Sequence, residues 1–146
     1  MNTVISDLSA LKQYAGAVLS ELSEMATGEH ATILALSGEL GAGKTAFTKL
    51  LAEALGVTES VPSPTFVIAK FYDVEGHPRF KRLIHADMYR VDSIDELRPL
   101  GWEALLSDAG NLLVIEWPER IKGAIPTYAK ELHFQVIDKT TREIRA

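Results

Sequence analysis

The residues that first suggest chemistry form one glycine-rich run, Gly38-Glu39-Leu40-Gly41-Ala42-Gly43-Lys44-Thr45. The run matches the pattern G-x-x-x-x-G-K-[ST] at every fixed position. Glycines allow the backbone to curl around an anion, so that successive N–H groups point inward. We therefore predict a phosphate-binding loop (P-loop), in which Lys44 contacts the phosphates of a nucleotide and the Thr45 hydroxyl coordinates Mg²⁺.

The competing interpretation is a tight strand-to-helix turn whose lysine lies on the surface by accident. Because glycine makes up about 7% of an average sequence, the four fixed positions would coincide by chance in well under ~1% of chains of this length. The flanks point the same way. The apolar run 31–36 predicts a buried strand before the loop, and the helical spacing over 47–55 predicts a helix after it.

A magnesium site also needs an acid near the loop. Mg²⁺ takes only one or two protein oxygens beyond the phosphates, so we expect a carboxylate at the end of a neighbouring strand. Glu116 closes the apolar run 112–115, and Asp87 follows the run 83–86. We predict Glu116 as a metal ligand, and Asp87 or Glu116 as the residue that orients the attacking water. The alternative for each is a solvated acid at a strand end, or for Asp87 a partner of Arg90.

Three further residues have two interpretations each. Thr65 follows the stiff Pro62-Ser63-Pro64 segment and is a candidate to contact the γ-phosphate or its metal, although threonine is also common at strand starts. A lone histidine in an apolar run, such as His85, is more often a satisfied core residue than a catalytic base. Trp117 either packs over the site or belongs to the core or to a partner-facing surface.

The remaining pattern alternates between helix and strand. Apolar residues at steps of three and four predict a helix over 8–25, capped by Ser6 or Asp7. Ser93 and Glu96 form a capping box that begins another helical region. Pro99-Leu100-Gly101 either interrupts this helix or separates it from a second short helix that runs through Leu106. Strands are predicted at residues 31–36, 65–72, 80–86, 111–116, 132–136 and 143–146. The expected fold is a three-layer α/β domain of the P-loop NTPase-like type, with a mixed, mainly parallel sheet and helices on both faces.

Composition sets the class of protein. The 146 residues are 47% hydrophobic and 24% charged, which predicts a single globular domain over 1–146. The net charge of -5 argues against a general affinity for nucleic acid, and the lack of cysteine excludes disulfides and thiolate chemistry. Basic and aromatic residues mix over 70–90, where they would contact RNA or an acidic partner, or more simply form an exposed hairpin. No stretch suggests a signal peptide or a membrane span, so we expect a cytoplasmic protein.

Five segments together, GELGAGKT, VPSPTF, HADMYR, LGWEALL and VIEWPE, resemble the TsaE family, also called YjeE. This family is the bacterial ATPase of tRNA threonylcarbamoyladenosine biosynthesis. The resemblance implies an accessory ATPase that works with the TsaD and TsaB proteins, which transfer a threonylcarbamoyl group to adenosine 37 of ANN-reading tRNAs. ATP binding and hydrolysis would be linked to docking on TsaD–TsaB and to resetting that complex, and tRNA would be contacted indirectly, through the complex.

The resemblance also implies roles for individual residues. Thr45 and Glu116 resemble the magnesium ligands, Lys44 the phosphate-binding lysine, and Thr65 and Asp87 the residues needed for hydrolysis. Ser6, Asp7 and Arg142 match segments near the nucleotide base, and the choice of ATP over GTP rests on the same resemblance. Two other classes stay open: a small-molecule kinase that uses the same loop, and a nucleotide-regulated adaptor that binds ATP with little turnover.

Overall fold

The computed structural model describes residues 2–58 and 68–146. Thr65 and the start of the strand predicted at 65–72 lie outside these residues. The strands are β1 (Asn2–Ile5), β2 (Thr32–Gly38), β3 (Ala69–Asp73), β4 (Arg82–Asp87), β5 (Asn111–Glu116), β6 (Lys130–Val136) and β7 (Arg142–Arg145). The helices are α1 (Leu8–Met25), α2 (Lys44–Ala54) and α3 (Trp102–Ser107), with 3₁₀ segments at Ile94–Leu100 and Pro118–Ala124.

The seven described strands form one mixed sheet in the order β1-β7-β6-β2-β5-β4-β3. The four central strands, β6, β2, β5 and β4, are mutually parallel. Both margins are antiparallel, with the β3–β4 hairpin on one side and β7 and β1 on the other. The predicted mixed α/β sheet is therefore confirmed, and its parallel pairs lie in the centre, where both faces are covered.

Two hydrophobic cores lie on opposite faces of the sheet, because successive side chains of a strand point to opposite sides. On β5, Leu112 and Val114 belong to the core beneath α1 and α2. Leu113 and Ile115 belong to the core beneath α3 and the 3₁₀ segments. All six residues of β5 are buried, which explains the unbroken apolar run at 112–115 within this strand. The three-layer arrangement follows from this double burial.

Helix α1 has the predicted bounds, and Asp7 caps it by accepting a hydrogen bond from the backbone N–H of Ala10 at 2.7 Å. The apolar stripe is shorter than the sequence indicated. Leu11, Ala15, Val18 and Leu22 are buried, whereas Leu8 and Met25 at the two ends are exposed. Across residues 2–58 and 68–146, no helix has both the length and the apolar character needed to cross a membrane.

The second face carries shorter elements. The capping box of Ser93 and Glu96 is present, and it starts a 3₁₀ segment that contains Pro99. Gly101, at a φ of 69°, turns the chain directly into α3. The indole N–H of Trp102 in α3 donates to the carbonyl of Ala124 at 3.1 Å and ties this helix to the second 3₁₀ segment.

Of the two strands at the margin made by β7 and β1, the sequence predicted only β7. The final strand pairs antiparallel with β6 as expected, but β1 was not predicted from the sequence. It has four residues and no apolar run, so its pairing with β7 is what makes it a strand. In this register Ile5 lies opposite Arg142, which places Ser6 and Asp7 at the same end of the sheet as Arg142.

Phe47 provides a test of the first core. Its side chain is fully buried between Tyr14 and Phe134, with ring centroids 6.1 and 5.5 Å away. We expect Phe47→Ala to lower the free energy of unfolding by about 3–5 kcal/mol, because the cavity cannot close fully. Leu8→Ala, at a side chain that is 68% exposed, should change it by less than about 0.5 kcal/mol. Urea unfolding measures both, and equal effects would contradict the assigned packing.

Candidate functional site

The glycine-rich loop lies between the end of β2 at Gly38 and the start of α2 at Lys44. Gly38, Gly41 and Gly43 have φ values of 135°, 79° and 105°, a region that other residues rarely adopt. A Cβ atom on Gly38 would also collide with the carbonyl oxygen of Phe134 on β6. Glycine at position 38 is therefore required both by the turn and by the close approach of β2 to β6.

Lys44 points back into the loop that precedes it. The residue is only 4% exposed, and its ammonium donates a hydrogen bond to the carbonyl of Gly38. The same Nζ atom lies 3.7 Å from the centroid of the Trp117 ring, a cation–π contact. Burial lowers the pKa of Lys44 below the usual lysine value, and the nearby carboxylates of Glu116, Glu119 and Asp87 oppose this shift.

The two predicted acids meet at one edge of the sheet. In the parallel pairing of β4 with β5, Asp87 lies opposite Glu116, and Leu36 of β2 lies opposite Glu116 on the other side. The Thr45 hydroxyl donates to the Glu116 carboxylate and lies 3.3 Å from each of its oxygens. A cavity of about 290 Å³ opens here, with walls that include Gly41, Lys44, Thr45, Asp87, Glu116 and Trp117.

This donor set fits a magnesium ion beside a phosphate chain. Thr45 and Glu116 supply the hard oxygen donors that Mg²⁺ prefers, and Asp87 adds a third oxygen donor nearby. In the part of the chain that the structure describes, no cluster of three or more His, Cys, Asp or Glu side chains forms an all-protein metal cage. Mg²⁺ needs no such cage, since it keeps several waters and shares phosphate oxygens.

Asp87 is half-buried at the end of β4, and its Oδ1 accepts a hydrogen bond from the backbone N–H of Tyr89 at 3.0 Å. Burial raises the pKa of this carboxyl above the ordinary aspartate value. The neighbouring charge of Glu116 adds to the increase, whereas the Tyr89 hydrogen bond and Lys44 act in the opposite direction. Asp87 therefore holds a proton more readily than a solvated acid at a strand end.

His85 is a residue of the site that sequence reasoning assigned to the core. It is fully buried, as expected for a core histidine, but its Nε2 lies 2.5 Å from Oε2 of Glu116. The available signal was its position two residues before Asp87, because side chains at that spacing share one face of a strand. The contact itself depends on how β4 and β5 are aligned, which the local sequence does not specify.

Trp117 packs over the site, the first of the two interpretations that the sequence allowed. Among the described residues it is the one non-glycine residue with a positive φ, at 59°. Its backbone N–H donates to the carbonyl of Leu36 at 3.3 Å, and its ring packs against Tyr89 at 4.9 Å between centroids. A strained backbone held by these contacts is typical of a functional site.

Arg142 contacts the loop from the side of β7, and Ser6 and Asp7 lie at the same end of the sheet as Arg142. The guanidinium of Arg142 donates to the carbonyls of Asp138 and Thr141 at 2.7 and 3.2 Å, and to the carbonyl of Gly41 at 3.3 Å. Within the loop, Ala42 is buried and its backbone N–H donates to the backbone carbonyl of Glu39 at 3.2 Å, while Leu40 is exposed. The structure thus brings Lys44, Thr45, Asp87 and Glu116 together around one cavity, and Arg142 contacts the loop that borders it.

The order of strand, glycine-rich loop and helix, with acids at the ends of adjacent parallel strands, defines the class of P-loop proteins. Sequence comparison narrows this class. The family model described as threonylcarbamoyl adenosine biosynthesis protein TsaE matches residues 6–144. The chain belongs to the TsaE family.

Individual relatives agree with this assignment. The chain is 36% identical over 116 residues to the tRNA threonylcarbamoyladenosine biosynthesis protein TsaE of Treponema pallidum. This alignment covers 80% of this chain and 82% of the relative. The chain is 38% identical over 111 residues to the TsaE protein of Rickettsia prowazekii, with coverages of 75% and 73%. The crystal structure of Bacillus subtilis YdiB superimposes with a TM-score of 0.70 at 28% identity, covering 99% of this chain and 82% of that chain.

Gly38 tests the geometry of the loop. We expect Gly38→Ala to lower the free energy of unfolding by at least about 1–3 kcal/mol, because the new Cβ meets strain at this φ and also the carbonyl of Phe134. Gly16→Ala in α1 is the matched control, since a Cβ there has no neighbour within 4 Å. The control should gain about 0.4–1 kcal/mol. Thermal or urea unfolding measures both, and a neutral Gly38→Ala would contradict the close approach of β2 and β6.

Asp87 predicts a dependence of stability on pH. Because its pKa is raised in the folded protein, ionised Asp87 lowers stability as the pH rises from the ordinary aspartate value of 3.8 through the raised value. Asp87→Asn should therefore raise the free energy of unfolding at pH 7, with a gain that shrinks as the pH falls toward 3.8.

Urea unfolding of both proteins at several pH values measures this difference. Asparagine keeps an oxygen that accepts from the Tyr89 N–H, whereas Asp87→Ala removes it and should gain less. A gain that is independent of pH, or a loss at neutral pH for the asparagine variant, would show that burial does not disfavour the charged carboxylate.

Proposed function

We propose that this chain is an accessory ATPase of tRNA threonylcarbamoyladenosine formation, which binds ATP with Mg²⁺ and hydrolyses it. Membership of the TsaE family supports the role in tRNA modification. The ATPase part of the proposal rests on one observation: the Thr45 hydroxyl at the start of α2 lies 3.3 Å from both oxygens of Glu116 at the end of β5. That pairing of a loop hydroxyl with a strand-end acid is the arrangement that holds Mg²⁺ in P-loop hydrolases.

Each side chain has a defined task in this proposal. The Lys44 ammonium provides positive charge inside the loop for the phosphates, and Thr45 with Glu116 holds the metal. Bound Mg²⁺ supplies further positive charge that neutralises the phosphate oxygens. Asp87 or Glu116 orients the attacking water, and the raised pKa of the Asp87 carboxyl suits it to accept a proton. Thr65 keeps its proposed place near the γ-phosphate, and Ser6, Asp7 and Arg142 their place near the base.

Slow hydrolysis by the isolated protein is part of the proposal. Arg142 reaches the loop and donates to three backbone carbonyls, those of Asp138, Thr141 and Gly41. It is therefore committed to holding the loop, and we assign it no role on the γ-phosphate. Partner proteins would then stimulate the reaction, and TsaD and TsaB are the partners proposed, with tRNA contacted through their complex. A role in tRNA modification fits a cytoplasmic location.

Magnesium-dependent ATP hydrolysis, measured with and without TsaD and TsaB, tests this function. We expect weak phosphate release by the protein alone and stimulation by the partners. Lys44→Ala and Glu116→Ala should each reduce the stimulated rate by at least about 100-fold, since each removes charge or a ligand from the transition state. Lys49→Ala and Glu103→Ala are matched controls, because these residues are exposed and lie outside the cavity.

The other outcomes separate the remaining classes. Transfer of the γ-phosphate to a small molecule would identify a kinase, and tight ATP binding without phosphate release would identify a nucleotide-regulated adaptor. If Lys44→Ala and Glu116→Ala hydrolysed ATP at the rate of their controls, the assigned site would be wrong.

A further inference from the structure

A close contact joins the buried side chain of His85 to Glu116 of the proposed magnesium site. His85 lies on β4 and Glu116 at the end of the neighbouring parallel strand β5. Both residues are buried, with 0% and 3% of their surface exposed. Nε2 of His85 and Oε2 of Glu116 lie 2.5 Å apart, so the two side chains are in direct hydrogen-bond contact.

The chemistry of the two groups fixes the direction of this bond. In its proposed role as a magnesium ligand, Glu116 is a carboxylate, which only accepts hydrogen bonds, so in that role the proton belongs to Nε2 of His85. Glu116 Oε2 therefore accepts from His85, while the Thr45 hydroxyl lies at 3.3 Å from both oxygens. The carboxylate group is thus held from the β4 side by a short bond and from the α2 side by a longer one, and this fixes the plane in which its oxygens lie.

The other ring nitrogen of His85 argues against a purely structural role. Within the described part of the chain, Nδ1 is buried and has no hydrogen-bond partner. A buried polar atom without a partner destabilises the folded protein. The neighbours Leu83 and Ile84 fill the same strand with apolar side chains, which have no such penalty. Histidine at this position is explained by what Nε2 does for Glu116.

We propose that His85 is a positioning residue, which orients the Glu116 carboxylate toward Thr45 and thereby sets the affinity of the site for Mg²⁺. This inference rests on the proposed function, because it takes Glu116 as a magnesium ligand. His85 touches neither the nucleotide nor the metal in this arrangement. Hydrogen-bonded partners of this kind fix the orientation of metal-binding side chains, and their loss typically weakens metal binding by about 10–100-fold.

Two amide variants of His85 separate the effect of the position of the hydrogen-bond donor from the effects of side-chain size and polarity. In His85→Gln the terminal amide nitrogen can reach the place of Nε2. In His85→Asn the shorter side chain brings its amide nitrogen only to the place of Nδ1. Both variants are uncharged and polar, so they differ chiefly in whether a donor reaches Glu116. His85→Leu removes the donor altogether.

The experiment measures ATP binding by calorimetry at a series of Mg²⁺ concentrations and again in excess chelator. We expect His85→Asn and His85→Leu to raise the Mg²⁺ concentration for half-maximal binding by about 10–100-fold. His85→Gln should remain close to the original protein. Affinity for ATP without metal should be the same in all four proteins, because the loop and Lys44 are unchanged.

Two results would overturn the inference while leaving the proposed function intact. One is an equal Mg²⁺ requirement in His85→Gln and His85→Asn. The other is a parallel loss of metal-free and metal-dependent affinity in every variant, which is the effect of a residue that only supports the fold. If the original protein showed no Mg²⁺-dependent ATP binding, the proposed function itself would fail, and with it the effect on metal affinity.

The geometry can also be tested without any variant of His85 and without nucleotide. Nitrogen-15 NMR of the histidine rings in the original protein should show one imidazole with its proton on Nε2 and an unusually downfield N–H signal. Glu116→Ala should abolish that signal. A His85 ring protonated on Nδ1 alone, or a signal that persists in Glu116→Ala, would overturn the inference whether or not the variants of His85 fold.

Discussion

The alignment of three parallel strands is the constraint on which the rest of the site depends. In the register of these strands, Glu116 at the end of β5 lies between Leu36 of β2 and Asp87 at the end of β4. A slip of one residue would turn Glu116 to the opposite face and separate it from Thr45. The burial of β5 along its whole length therefore favours the register in which Glu116 and Thr45 lie on the same face of the sheet.

The same alignment concentrates ionisable groups in a poorly solvated place. Lys44, His85 and Glu116 are buried, and Asp87 is half-buried beside them. Burial shifts the pKa of Lys44 downward and that of the Asp87 carboxyl upward. The positive charge of Lys44 and the negative charge of Asp87 each oppose the pKa shift of the other group. Trp117, whose backbone has an unfavourable positive φ, covers the ammonium of Lys44 with its ring. Such a cluster of buried ionisable groups lowers the stability of the folded protein, and it is typical of a functional site.

Local patterns in the sequence predict those parts of the molecule that local interactions specify. The bounds of α1 and β5 agree with the structure because helical periodicity and an unbroken apolar run leave little choice. The loop and its acids were predicted from motif spacing, and the structure brings Thr45, Asp87 and Glu116 together. Strand β1 and the bond from His85 to Glu116 were not predicted. Both depend on pairing between segments that are far apart in the chain. His85 and Glu116, for example, are separated by 31 positions. The proposed role of Thr65 stays a prediction.

The separation of the two cores by the sheet has a consequence for engineering. The core of Leu34, Leu112 and Val114 supports α2 and the loop, whereas that of Ile33, Leu113 and Leu97 lies behind the sheet. Free-energy changes at sites that share no contacts are additive to a good approximation. Trp117 packs against the rear core and also lies over Lys44, so it joins that core to the site. Repacking rear-core positions away from Trp117 can therefore increase thermal tolerance with little effect on the front core and the loop.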